Sequence, residues 1–274
     1  MGGTSRVSGF YKLSPAERLD FVRRFANLTD DEAKILQNTG SLPLELADRM
    51  IENVIGAMPL PLGIAVNFLI NGRDYLIPMA IEEPSVVAAC SHAAKMARGG
   101  GGFTTSSTGP IMIGQVQVVG LDDPNGAKMA ILKAKEEILR TANEHHRTTQ
   151  AKDLHVKVLN TITGPMVIAE LLVDCRDAMG ANAVNSMAEE VAPLIEEITG
   201  GRIYLRILSN LASRRLARAK VVLPKEAVGG KEVVDGIVHA YAFAAADPYR
   251  AATHNKGVMN GVIAVALATG NDTR

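Results

Sequence analysis

The sequence predicts an α+β protein in which a large mixed α/β domain is interrupted by a small βαββαβ domain. Three observations carry that expectation. Residues 111–210 alternate between strand-like and helix-like spacing in the order β-α-β-β-α-β, the pattern of a ferredoxin-like unit. A glycine-rich break, ARGGGGFTTSSTGP at 97–110, precedes that stretch. After it the chain returns to a strand-like KVVLP and a helix-like segment from Val233 to Ala246. The expected limits are 1–108 for the first part of the large domain, 109–214 for the small domain and 215–274 for the second part of the large one.

Each element has a local reason. Ser14, Pro15 and Glu17 combine an N-cap, an N1 proline and a capping box, and Thr29-Asp-Asp-Glu repeats the signal. The second helix would bury Ile35 and Leu36. A third would carry Leu44, Leu46, Met50, Ile51 and Ile55 and stop at Gly56. GIAVNFLI and YLIPMAI read as strands of a hairpin, because the Asn71-Gly72 turn between them accepts positive φ. EEPSVVAACSHAAKMA reads as a helix opened by Pro84, with acidic residues at its start. The glycine-rich break reads as a flexible connection rather than a phosphate cradle, since it lacks the lysine of a P-loop. In the small domain, IMIGQVQVVGL, LHVKVLNTIT, MVIAELLVDC and RIYLRILSN are the strands. AKMAILKAKEEILRTANEH is one helix, and AVNSMAEEVAPLIEEITGG is the other, with Val184, Met187, Val191, Leu194 and Ile198 on one face.

Composition excludes several classes. Lys plus Arg and Asp plus Glu number 29 each, so no overall basic field exists to hold nucleic acid. There is no run of eighteen apolar residues and no secretory h-region, which points away from a membrane and toward the cytoplasm. Cys90 and Cys175 are too few for a disulfide framework and too isolated for a zinc site, so no metal is expected.

Four stretches carry polar groups suited to chemistry. DAMGANAVN, 177–185, joins a strand to a helix N-terminus, where free N–H groups favour an anion and Asp177, Asn182 and Asn185 can bond a ribose or an amide. Without the Rossmann G-x-G-x-x-G pattern, an ordinary capped strand-to-helix turn is the plainer reading. IEEPSVV places Glu82 and Glu83 where an apolar stretch meets a helix, a setting in which burial would raise a carboxyl pKa; a solvated helix start is the plainer reading. DPYRAATHNKGVMNG gathers Arg250, His254, Lys256 and Asn260 among small residues, with Asp272 sixteen positions beyond Lys256. A lysine ammonium can hold a developing alkoxide, and Arg250 suits a carboxylate. MIENVIGAMPLPLG combines Glu52 and Asn53 with a proline-fixed turn. His92, His155 and His239 fall in regular segments and read as packing or surface residues.

Taken together, ENVIG (52–56), PMAIEEPSVVAA (78–89), DAMGANAVN (177–185), DPYRAATHNKG (247–257) and TGND (269–272) resemble hydroxymethylglutaryl-CoA (HMG-CoA) reductases of class II. The resemblance implies two-step hydride transfer between HMG-CoA and mevalonate plus CoA, in a homodimer or higher homo-oligomer whose sites are shared between subunits. By that likeness Glu83, Lys256 and Asp272 are catalytic and meet around one acyl pocket. Ser85, Arg250, Asn260, Glu52 and Asn53 would contact the substrate, and Asp177, Met179, Gly180 and Asn182 the dinucleotide, held by the small domain.

Three departures qualify the likeness. His146, with Arg147 beside it, stands where NADH-using members place an acidic residue; a guanidinium attracts a 2′-phosphate, so NADPH is favoured over NADH. Tyr11 stands where a basic CoA contact is implied, with Lys12 next to it. The chain also ends two residues after Asp272, without the flap histidine the resemblance implies, so a fragment with little turnover is expected. The alternative is a truncated, non-catalytic remnant that binds CoA or dinucleotide without turnover; a different CoA-thioester enzyme, such as an acyltransferase, would not need the DAMGAN turn.

Overall fold

In the computed structural model, which describes residues 3–40 and 42–273, the chain divides between Thr105 and Ser106 and again between Arg218 and Ala219. The first unit comprises the described residues up to Thr105 and those from Ala219 onward; the second is Ser106–Arg218.

The first unit opens with a 3-10 turn at Phe10–Lys12, α1 (Pro15–Ala26) and α2 (Asp30–Gln37). Both helices start at reciprocal capping boxes, Ser14 with Glu17 and Thr29 with Glu32. The third expected helix shrinks to a single turn, α3 (Leu44–Ala47). Pro43 gives it no side-chain cap, and Asn53 adopts φ 58°, so the chain turns away well before Gly56. Ile35, Leu36, Leu44, Leu46, Met50, Ile51 and Ile55 are all exposed, against the expectation of a buried face. Among the described residues nothing packs over that periodic face.

β1 (Leu62–Ile70) and β2 (Arg73–Ala80) form the expected hairpin, with Asn71 at φ 51° and Gly72 at φ 76°. A bulge between Ala65 and Phe68 lifts Asn67 out of the ladder at φ 72°. The following helix, α4 (Val86–Arg98), starts two residues later than expected. Its N-cap is Ser85, at φ 74°, and both Glu82 and Glu83 lie outside the helix. The glycine-rich stretch is an ordered turn into β3 (Phe103–Ser107), rather than a loose connection. A Cβ at Gly100 would sit 1.9 Å from the Val222 carbonyl oxygen and one at Gly102 2.3 Å from that of Leu69, so close backbone approach accounts for two of these glycines.

The second unit runs β4 (Ile111–Val119), α5 (Pro124–Lys133), α6 (Lys135–Asn143), β5 (Gln150–Thr161), β6 (Gly164–Asp174), α7 (Ala181–Thr199) and β7 (Arg202–Ser209). The single helix expected before β5 is broken in two at Ala134. The strands form an antiparallel sheet in the order β5-β6-β4-β7. Its core is continuous: Val116, Val118, Ile131, Ile138, Leu154, Leu171, Met187, Val191 and Ile195 are fully buried, each stabilising the unit by about 1.5–3 kcal/mol. A Cβ on Gly114 would meet Val184 at 2.8 Å, so α7 crosses β4 at this glycine.

The chain then returns to the first unit as β8 (Ala217–Val221), α8 (Lys225–Val228), α9 (Lys231–Ala246) and α10 (Pro248–Ala268). The sheet order there is β2-β1-β3-β8. The polar stretch 247–261 makes up most of α10, which Asp247 caps through the Arg250 amide. α10 packs on β2 and α4 through Ala264, buried with Ala65 and Met79, and through Gly261, where a Cβ would lie 3.7 Å from Cys90 Sγ. No helix among the described residues is long and apolar enough to cross a membrane.

Candidate functional site

Lys256 and Asn260 are four residues apart on α10 and therefore share a face. Both reach Glu83, which the chain presents just before α4. Lys256 Nζ lies 2.9 Å from Glu83 Oε2, and Asn260 Nδ2 donates to the same oxygen at 3.2 Å. Both bonds fall on Oε2, which leaves Oε1 available to a ligand. Gly257, between the two donors, has open space where a Cβ would be, so this part of the helix is accessible. Ser85, two residues from Glu83, holds its left-handed backbone without a side-chain cap bond. Non-glycine residues in that region store strain, a trait of sites where position outranks stability.

Glu83 and Ser85 also line a cavity of about 1300 Å³ in the first unit. Its walls come from residues 6–22, the start of β1 and one face of α4. Arg6, Lys12, Arg18 and Lys95 line it, and Glu83 is the sole acidic residue among its described lining residues. Tyr11 and His92 line it too, His92 as one of the surface residues its sequence context allows.

Other expected residues are placed differently. Asp272 lies beyond the C-terminal end of α10, whose last residue, Ala268, is about 18 Å of helix rise from Lys256. Arg250 is on α10, about 9 Å along the axis from Lys256. Glu52 and Asn53 occupy an exposed turn outside the cavity lining.

The dinucleotide candidates lie in the second unit. Asp177, Met179, Gly180 and Asn182 form the turn from β6 into α7. No side chain caps α7, and its first helical amide bond comes from Val184, so the amides of residues 181–183 face outward from the helix start, where an anion is favoured. Gly180 is required at φ 104°, where a Cβ would stand 2.4 Å from Cys175 Sγ; the turn thus uses the missing side chain inward. Burial pushes the Cys175 thiol up, which keeps it protonated beneath the turn. Arg215 was not foreseen: its guanidinium donates to the carbonyls of Ala178 at 2.9 Å, Met179 at 3.2 Å and Arg176 at 3.4 Å. Nothing local in its sequence signals that role, because it returns from beyond β7. Asn185 is engaged structurally, accepting the Leu208 amide at 2.9 Å. His146 turns toward α7, its buried Nε2 3.4 Å from Glu190 Oε2, while Arg147 is exposed. Among the described residues no group of three His, Cys, Asp or Glu side chains could hold a metal ion.

Residues 14–274 match the family model for hydroxymethylglutaryl-coenzyme A reductase. The chain is 62% identical to the 3-hydroxy-3-methylglutaryl-coenzyme A reductase of Archaeoglobus fulgidus over 99% of its own length and 63% of that protein. It is 37% identical to a probable reductase of Borreliella burgdorferi, over 82% of the chain and 53% of the relative. It thus spans between half and two thirds of these relatives. Among solved structures, the Streptococcus pneumoniae enzyme superposes with a TM-score of 0.92 at 38% identity, over 97% of this chain and 75% of that one. A class II structure from the same organism, described as bound to NADPH in open conformations, superposes with the same score. The match across both units, with Glu83, Lys256 and Asn260 joined at the cavity edge, makes this chain a member of the hydroxymethylglutaryl-coenzyme A reductase family.

Proposed function

We propose that the protein interconverts HMG-CoA and mevalonate plus CoA by two hydride transfers, with the acyl group beside Glu83 and Lys256. One observation carries the reading: Glu83 both lines the large cavity and is held by Lys256 and Asn260. The four cations on that cavity suit the phosphates of coenzyme A. The second unit is read as a ferredoxin-like cofactor domain, on the strength of its βαββαβ order and the β5-β6-β4-β7 sheet. The first-turn amides of α7 fit a dinucleotide phosphate, and Asp177, Met179, Gly180 and Asn182 would hold that group. When bound, the reduced nicotinamide supplies the hydride. Arg147 favours NADPH over NADH.

In the first step Lys256 stabilises the alkoxide that forms as the thioester carbonyl becomes a hemithioacetal. Collapse of that adduct expels the CoA thiolate and leaves mevaldehyde. In the second step Glu83, having taken a proton from solvent on Oε1, passes it to the carbonyl oxygen as the alcohol forms and returns to the carboxylate, while Lys256 and Asn260 hold Oε2. Ser85 and Arg250 position the hydroxymethylglutaryl part. Asp272 is read as the third charged group of the site and a homodimer as part of the reading; the setting is cytoplasmic. The test is mevalonate- and CoA-dependent reduction of NADP by the full-length protein, followed by absorbance. Reduction that needs both substrates supports the proposal; absence of reduction, or reduction indifferent to CoA, refutes it.

A further inference from the structure

Ser5 is completely buried although it is polar and lies near the start of the described chain. Its hydroxyl donates to Asp74 Oδ1 at 2.7 Å, and its amide donates to the same oxygen at 2.9 Å. Arg98, from the end of α4, closes the node: its two terminal nitrogens meet Asp74 Oδ1 at 2.8 and 2.7 Å, and Nη1 also reaches the Asn67 carbonyl at 3.1 Å. The bulge in β1 supplies the next connection. Asn67 donates its amide to the Ser5 carbonyl at 2.9 Å, accepts the Val7 amide at 3.3 Å, and donates through Nδ2 to the Ser91 carbonyl at 3.1 Å. Residues 5–7 therefore satisfy the polar groups that the bulge removes from the β ladder. The chain that leaves this node, from Arg6 to Lys12, is one wall of the cavity and carries two of its cations.

We propose that Ser5, Asn67, Asp74 and Arg98 form a positioning node that holds the Arg6–Lys12 wall against the nucleotide end of the CoA substrate. None of the four is placed at the reacting atoms, so the node acts on recognition and not on hydride transfer. The inference rests on the cavity taking coenzyme A.

Calorimetric titration of the chain with CoA and with pantetheine, which lacks the nucleotide and its phosphates, tests both levels. If the cavity takes CoA, the unaltered chain binds CoA more tightly than pantetheine; equal binding overturns the assignment of the cavity. Ser5→Ala should then weaken CoA by about tenfold, equivalent to about 1.4 kcal/mol, and leave pantetheine within about twofold. It should also speed tryptic cleavage after Arg6 and Lys12, which saturating CoA slows in the unaltered chain. Arg98→Lys, which keeps the charge but loses the fork, should give the same split if Ser5→Ala does not fold. Equal loss for both ligands, or no loss of CoA with unchanged cleavage, overturns the node.

Discussion

Lys256→Met separates chemistry from folding at the centre of the proposed site. The Lys256 ammonium is 2.9 Å from Glu83, but the two side chains are 64% and 44% exposed. At that distance water-like screening leaves an attraction of only about 1.4 kcal/mol, and fixing a long flexible side chain offsets much of it. Exposed pairs of this kind contribute about 0.2–1 kcal/mol. For a chain of 274 residues that lowers the Tm by roughly 1–4 °C. The same ammonium facing a developing alkoxide contributes about 3–4 kcal/mol, a factor of about a hundred to a thousand in kcat. Asn260 still donates to Glu83 in the variant, so the carboxylate keeps one partner. The assay is kcat for mevalonate oxidation by the full-length protein, with a calorimetric melt of the same sample. A kcat within tenfold of the unaltered enzyme would remove Lys256 from the chemistry, and a Tm lower by more than about 8 °C would make the pair structural.

Three other outcomes are expected. Burial pushes the Asp74 carboxyl up, but the Ser5 hydroxyl and amide and the Arg98 charge outweigh it and hold the pKa below its ordinary value. The stabilisation is thus complete above the unfolded pKa of about 3.9 and is lost as pH falls through the folded value. Asp74→Asn should cost about 2 kcal/mol near neutrality, the scale of hydrogen bonds to a charged group, with the gap closing below pH about 4 in denaturant titrations; a gap that widens in acid contradicts the sign. Gly180→Ala should weaken NADPH binding and lower the melting temperature, because left-handed strain and contact with Cys175 each cost about 1–3 kcal/mol. Adding Cys175→Ala should recover only the contact part, and full recovery would discount the backbone conformation. Arg147→Ala should raise the NADPH Michaelis constant and leave that for NADH unchanged; an unmoved NADPH constant ends the specificity argument.

Local chemistry was readable wherever a few neighbouring residues decide the outcome. Ser14 with Glu17 and Thr29 with Glu32 specify helix starts, and Asn71-Gly72 specifies the hairpin, without help from distant parts of the chain. Val184, Met187 and Val191 show their buried face through spacing alone. The apolar residues of 44–55 misled because periodicity states which side would be buried, not whether anything lies against it. The start of α4 shifted because Ser85 adopts a conformation that no propensity for serine favours. Within the site, the nearness of Glu83 to Lys256 is legible from the motifs, and the 21-residue length of α10, which carries Lys256 and Asn260 on one face, is not. Arg215 and the Ser5 node remained hidden because their partners are 24 to 93 positions away.

The neighbouring strands β3 and β8 are more than a hundred residues apart in the chain, with a whole compact unit between them. During synthesis β3 therefore emerges long before its outer partner exists. The intervening unit, being contiguous, can acquire its full core while the outer edge of β3 still offers unpaired amides and carbonyls to any passing strand. Translation speed through codons 108–216 consequently sets how long that edge waits, and heat or crowded expression should trap nascent chains at this stage before any finished protein unfolds.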